Sequence, residues 1–201
     1  MRRIVVASLL AVSACATGGD AATPPSTPPT SGAAPEPGDD AAEAGSTVVF
    51  LVRHAEKASD GSKDPPLTEA GAARAECLAR MLSDVAVTHV FATNYQRTQK
   101  TVAPLAAAKG LEVLSLAASD ADALVQQLDG LPPGSVAVAA GHSNTVPALA
   151  ARLARPLSAL DDKGYIPHEQ YDRLVEIVRA PGTTATALEF RFCAPSAATA
   201  H

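Results

Sequence analysis

Four side chains in this sequence are suited to gripping an anion, and they recur at equivalent places. Arg53 and His54 stand together in VVFLVRHAEKA, Arg97 follows in ATNYQRTQKT, and His142 in AVAAGHSNT. Each comes at, or shortly after, the end of a short apolar run. In open α/β sheets ligands bind beyond the carboxyl ends of the strands. Taken singly, each residue has a plain explanation: an arginine leaving a strand, a hydrogen-bonded loop histidine, an arginine on an exposed helix face, a satisfied turn residue. Placed together at one predicted edge, they make a concentrated cationic pocket. Arginine can hold phosphate oxygens bidentately. A helix starting at Asn144 would add free N–H groups just after His142, and helix N-termini are ready anion sites. Pro147 then falls in the first turn, where a missing N–H costs nothing. Pro104 is expected to sit in a first turn for the same reason. The set points to a phosphate.

The elements that must position these residues alternate. TVVFLV (47–52) has no polar alternation, as expected of a strand buried on both faces. The stretch 67–85 reads as a helix capped by Thr68, with Leu78, Met81, Leu82 and Val85 on one face and Arg74 and Arg80 elsewhere. A strand over 87–93 precedes a helix that stops at Lys109-Gly110. A third strand is read at 111–116, a helix at 120–131 capped by Ser119 or Asp120, a strand within 132–142, and a helix at 143–154. Residues 170–180 and 184–193 alternate like half-buried strands joined around Pro181-Gly182. This order predicts a three-layer α/β/α sandwich with a mainly parallel sheet and antiparallel pairing near its end.

The domain itself is read as 47–193, with a tail at 194–201. Residues 1–15, MRRIVVASLLAVSAC, have a basic start, a short apolar run and small residues before Cys15, the layout of a secretory signal. The run is too short to span a bilayer. Val12-Ser13-Ala14-Cys15 resembles a bacterial lipobox, so Cys15 is expected to carry lipid and anchor the chain to a membrane. Ala16 after it is similar to signals that sort to the outer membrane, which gives an envelope location facing the periplasm or the surface. Residues 16–46 contain no Leu, Ile, Val or aromatic residue and read as a disordered tether. A net charge of −5, the absence of tryptophan and the absence of any basic run exclude a nucleic-acid binder. Cys77 and Cys193 are too far apart in sequence for a metal site, and either a disulfide or two buried thiols fits them. The chain is expected to act as a monomer.

LVRHAEKA, PPLTEAGAARA, ATNYQRTQKTVAPLA and AGHSNTVP, in that order, resemble the motifs of the histidine phosphatase superfamily, the phosphoglycerate mutase-like proteins, and its compact branch in particular. The resemblance is strong over about 48–150. It implies a phosphoglycerate mutase-like fold and a phosphatase that works through a phosphohistidine. By that resemblance His54 is the nucleophile, and Arg53, Arg97 and His142 hold the phosphate. A neutral imidazole is a usable nucleophile, and flanking arginines disfavour its protonation. Phosphoryl transfer rests on positioning and electrostatics, so no metal or other cofactor is implied. The general acid stays open between Asp120, Glu56 and none. The implied substrate is a phosphorylated small molecule or a phosphoprotein.

Three other readings use the same residues. Gly141-His142-Ser143 has part of a serine-esterase elbow, with Asp172 and His201 as partners, but Thr145 stands where a glycine belongs. His54, Glu56 and His142 could be imagined around zinc, although neighbouring arginines would repel it. A tethered module that binds a phosphate ligand without turnover would keep the same pocket. His89 and His168 lie outside the motifs and are expected to be structural or exposed.

Overall fold

In a computed structural model the described residues are 45–193. The expected signal, Cys15, all but the last two residues of the tether, and the 194–201 tail lie outside them. The elements run β1 (Thr47–Arg53), α1 (Glu69–Met81), β2 (His89–Thr93), α2 (Gln96–Lys109), β3 (Val113–Leu116), α3 (Ala121–Asp129), β4 (Val136–Gly141), α4 (Thr145–Leu153), β5 (Arg173–Arg179) and β6 (Thr186–Arg191). They build one six-stranded sheet in the order β3-β2-β4-β1-β5-β6. The first four strands in that order are parallel, and β5 and β6 add antiparallel to the β1 edge.

Alternation along each strand fills two cores. Val49 and Leu51 of β1 face one way with Phe91, Ala137 and Ala139, packing against Leu128 of α3 and Leu149 of α4. Phe50 and Val52 face the other way with Val90, Val138 and Ala140, against Leu78 of α1 and Leu105 of α2. Helices thus cover both faces, giving a three-layer α/β/α sandwich. The small residues of β4 (Ala137, Ala139, Ala140) sit at its centre and are fully buried.

Two local expectations need correction, and one open alternative is decided. The buried stripe of α1 runs through Gly71, Arg74, Ala75, Leu78 and Ala79, so Arg74 lies inside it, while Met81 is 41% exposed. The shift has a cause: Arg74 has the half-buried Glu56 carboxylate to meet. Pro104 lies inside α2 rather than in its first turn. The helix continues because Val102, Leu105 and Ala106 are anchored in the core, while the carbonyl that loses its donor belongs to exposed Lys100. Finally, Cys77 and Cys193 form a disulfide with a Cα–Cα distance of 6.1 Å, joining α1 to the chain just after β6. Of the two alternatives left open by sequence, a disulfide or two buried thiols, the disulfide is the one observed.

Candidate active site

Register places the site. Arg53 pairs with Gly141 across β1 and β4, and Ala92 pairs with Ala140 across β2 and β4. The carboxyl ends of three adjacent parallel strands therefore stop in one row, and the next residues project above it. A cavity of about 410 Å³ opens there, lined by Arg53, His54, Arg97 and His142 together with Lys57 and His168. The structure brings together all four residues singled out by their spacing.

His54 is 4% exposed, and its backbone N–H donates to the Gly141 carbonyl at 2.8 Å. Its Nδ1 lies 2.8 Å from the Ala55 carbonyl, which can only accept, so Nδ1 carries the proton. That assignment, made from the hydrogen-bond partner, leaves the Nε2 lone pair free. Burial is the main reason its pKa falls to about 3; the Ala55 carbonyl opposes the shift, and Arg53, His142 and Arg97 add to it. The imidazole is therefore neutral at pH 7.

His142 is held by a hydroxyl relay. The Thr98 hydroxyl donates to backbone carbonyls of Thr93 and Tyr95, at 2.9 and 2.7 Å. With its only proton used, Thr98 accepts from the Thr93 hydroxyl at 2.8 Å. Thr93 must then accept from His142 Nε2–H, at 2.9 Å, which leaves Nδ1 as the unprotonated nitrogen. Burial, then Arg97 and Arg53, lower the His142 pKa to about 4. Its backbone N–H is satisfied by the Thr145 hydroxyl at 2.7 Å. Thr145 gets that close because Gly141 has no side chain; a Cβ there would meet Thr145 Oγ1 at 2.7 Å.

Each arginine lies over a tyrosine. The Arg53 guanidinium carbon is 4.2 Å from the Tyr171 ring centre, and that of Arg97 is 4.0 Å from the Tyr95 ring centre. Arg53 Nη1 donates to the carbonyls of Pro167, His168 and Gln170, at 3.0, 2.9 and 3.2 Å, which pins the loop before β5 over the site. Burial lowers the Arg53 pKa, partly offset by Tyr171 and Glu169. Arg97 is steered by Asp64 at 3.6 Å, whose carboxylate also accepts the Gln96 N–H at the start of α2. Among the described residues, the Nε of Arg53 and the Nε of Arg97 are the buried side-chain polar atoms without a hydrogen-bond partner. Buried donors of this kind are rare in folded proteins, and an oxyanion would supply the acceptors they lack.

The other residues singled out in sequence stand as follows. Asp120 is exposed, and its carboxylate accepts the Ala123 N–H at 2.8 Å, so it serves as the N-cap of α3 and is absent from the cavity lining. Glu56 turns away to Arg74 and does not converge with the two histidines. Among the described residues, no carboxylate lines this cavity. Ser143 does line it, but Asp172, its imagined esterase partner, is paired to Arg191 at 2.6 Å, and His201 lies outside the described residues. Pro147 sits in the first turn of α4 as expected, and Asn144 is its cap residue without a side-chain cap bond. His168 is exposed, yet lines the cavity, as does Lys57. Tyr95, Tyr171, Asp64 and the Thr93–Thr98 relay were missed. The second threonine of Arg-Thr-x-x-Thr, Thr101, was a visible signal, and its hydroxyl accepts the Ala55 N–H at 2.9 Å.

Residues 49–120 match the sequence profile of the histidine phosphatase superfamily (branch 1). A curated relative from Yersinia enterocolitica, "Probable phosphoglycerate mutase GpmB", is 36% identical over 73 residues, which is 33% of this chain and 34% of the relative. The match thus spans about a third of that relative's length. Two solved structures share the fold. A protein histidine phosphatase SixA complexed with tungstate aligns at 18% identity and TM-score 0.57, covering 72% of this chain and 96% of its own. A phosphoglycerate mutase from Plasmodium falciparum aligns at 14% identity and TM-score 0.52, covering 75% and 95%. At these identities the likeness speaks for the phosphoglycerate mutase-like fold. The ordered motifs, the profile match over residues 49–120 and that fold agree, and together they support the histidine phosphatase superfamily as the family this chain resembles.

Proposed function

We propose that this chain is a metal-independent phosphatase that hydrolyses phosphomonoesters, or a phosphoprotein, through a phosphohistidine on His54. The observation that carries it is the pair of buried, unpartnered arginine Nε donors beside a neutral histidine whose Nε2 lone pair is free. Nε2 attacks phosphorus, and the bond from phosphorus to the leaving oxygen breaks. Arg53 and Arg97 neutralise charge on the three equatorial oxygens. Water then attacks the phosphohistidine, the P–N bond breaks, and Nε2 recovers its lone pair. The water's proton ends on the phosphate or in solvent, and the departed oxyanion takes one from solvent. Since no carboxylate among the described residues lines the cavity, substrates whose leaving group departs without a donated proton are favoured. Aryl phosphates and phosphohistidine are of that kind; the SixA neighbour is named a protein histidine phosphatase.

The location belongs to the same reading. The Cys77–Cys193 disulfide supports an oxidising compartment, which agrees with export and lipidation at Cys15. The test uses the full chain and a chromogenic aryl phosphate, with wild type beside His54→Ala, each with and without EDTA. Turnover that survives the chelator and vanishes in the variant is expected. Turnover that persists in His54→Ala would overturn the assignment of the nucleophile. Phosphate binding without turnover in either protein would favour the binding module.

A further inference from the structure

Glu56 lies two residues past His54, and its carboxylate is fully engaged elsewhere. It accepts from Arg74 Nε at 3.1 and 2.9 Å and from Arg74 Nη2 at 2.6 Å. Arg74 is 8% exposed, and its Nη1 donates to the carbonyls of Phe192 and Cys193, at 3.3 and 2.7 Å. One turn further along the same helix, Cys77 is bonded to Cys193. Helix α1 therefore reaches the chain after β6 twice, through the disulfide and through Arg74 to the carbonyl of that same cysteine.

We propose that Arg74 and Glu56 are positioning residues for His54, and that the Cys77–Cys193 disulfide keeps them in register; the proposal rests on the phosphatase reading above. The link is the peptide unit between Ala55 and Glu56. Its carbonyl, that of Ala55, holds the Nδ1–H of His54 and so fixes both ring orientation and tautomer. A peptide unit is rigid and planar, so its carbonyl points where its two Cα atoms allow. On one side the Ala55 N–H is held by Thr101. On the other, Glu56 is held by its carbonyl to the Thr68 N–H at 2.9 Å and by its side chain to Arg74. Loosening the Arg74 hold tilts the plane away from Nδ1–H, and the ring gains a second orientation and a second tautomer. Glu56 and Arg74 do not line the phosphate cavity, so its grip on the substrate is left in place. The disulfide acts one step back, by keeping the Cys193 carbonyl under Arg74.

The experiment uses the full chain with the aryl phosphate. Arg74→Lys, Glu56→Gln and the double variant are compared with wild type, and wild type is also assayed after reduction and after reoxidation. A roughly 10- to 100-fold fall in kcat is expected in each single variant, with KM nearly unchanged. The double variant should be no worse than the more impaired single. Reduction should lower wild-type kcat reversibly and leave Arg74→Lys nearly unaffected. Folded variants with full kcat and a lower Tm would reduce the pair to a structural ion pair and overturn the inference. So would a rise in KM at constant kcat. The 15N shifts of the His54 ring separate this from failure of the phosphatase reading, because they report tautomer without turnover. A single Nδ1–H form in wild type that becomes mixed in Glu56→Gln supports the positioning role, and an unchanged form overturns it.

Discussion

At the scale of single residues, the site is governed by where protons are not. Both histidines are neutral because burial strips water from them and two guanidiniums stand beside them. The profile of kcat/KM against pH reports groups of the free enzyme. After correction for ionisation of the substrate, its acid limb should lie below pH 5, since the histidines protonate only at about 3 and about 4. A limb near pH 6.5 would show that they titrate like free imidazole. The relay behind His142 makes a second prediction. Thr93→Val removes the acceptor of the Nε2–H and strands a buried donor, at a cost of about 1–3 kcal/mol. A loss of phosphate affinity of about 10-fold should follow, measured as inhibition by inorganic phosphate, with the fold intact by circular dichroism. The four cavity residues were legible in sequence because each stands at the end of an apolar strand, just after one, or, for Arg97, in the first turn of the helix that follows one. Tyr95 and Tyr171 were not, because a ring beneath an arginine leaves no periodic trace. Asp120 was legible only as one of two things, and the structure uses its carboxylate as a cap.

At the scale of elements, α1 does more than cover the sheet. Gly71 brings it against the loop after His54 so closely that a Cβ would sit 2.1 Å from the Glu56 carbonyl oxygen. That neighbour is backbone and is held by Thr68, so it has little room to yield. Gly71→Ala should therefore lower stability by about 1–3 kcal/mol, read as a shift in urea midpoint at constant m, and should depress turnover as well. The hydrophobic pattern gave the helix but misplaced its buried face, because a periodicity argument puts arginine outside by default. Arg74 is inside, where a carboxylate is waiting. Burial alone would raise the Glu56 pKa, but the hydrogen bonds from Arg74 and from its own backbone, with the Arg74 charge, together outweigh it, and the carboxyl is held below its usual range. The strands were legible throughout, down to the antiparallel pair at the end. Pro104 was not, since a proline within a helix is tolerated only when tertiary packing overrides the local cost.

For the whole molecule, the same histidines set how stability responds to acid. Their folded pKa values are depressed, while in the unfolded chain they return to about 6.5. The unfolded state then binds protons that the folded state refuses, so stability is present above pH 6.5 and is lost as pH falls from there toward 3. Tm should drop between pH 7 and pH 5, and His54→Asn should flatten that dependence. The disulfide closes a loop across a sequence separation of 116, for which chain entropy alone gives about 4–5 kcal/mol. A Cys77→Ser/Cys193→Ser variant should melt at least several degrees lower than wild type.

The strand order carries a consequence for how the molecule is made. β4 lies between β1 and β2, yet it follows both in the chain, and the other neighbour of β1, β5, comes later still. As the polypeptide emerges, β1 waits with neither edge paired until residue 136 arrives. A nascent chain ending before Val136 has Arg53, His54 and Arg97 but no floor on which to bring them together. Such intermediates expose unpaired apolar strand edges, the hazard that holding factors exist to cover. Late insertion of one alanine-rich strand between two waiting partners joins the parallel half of the sheet and brings Arg53, His54, Arg97 and His142 to one edge.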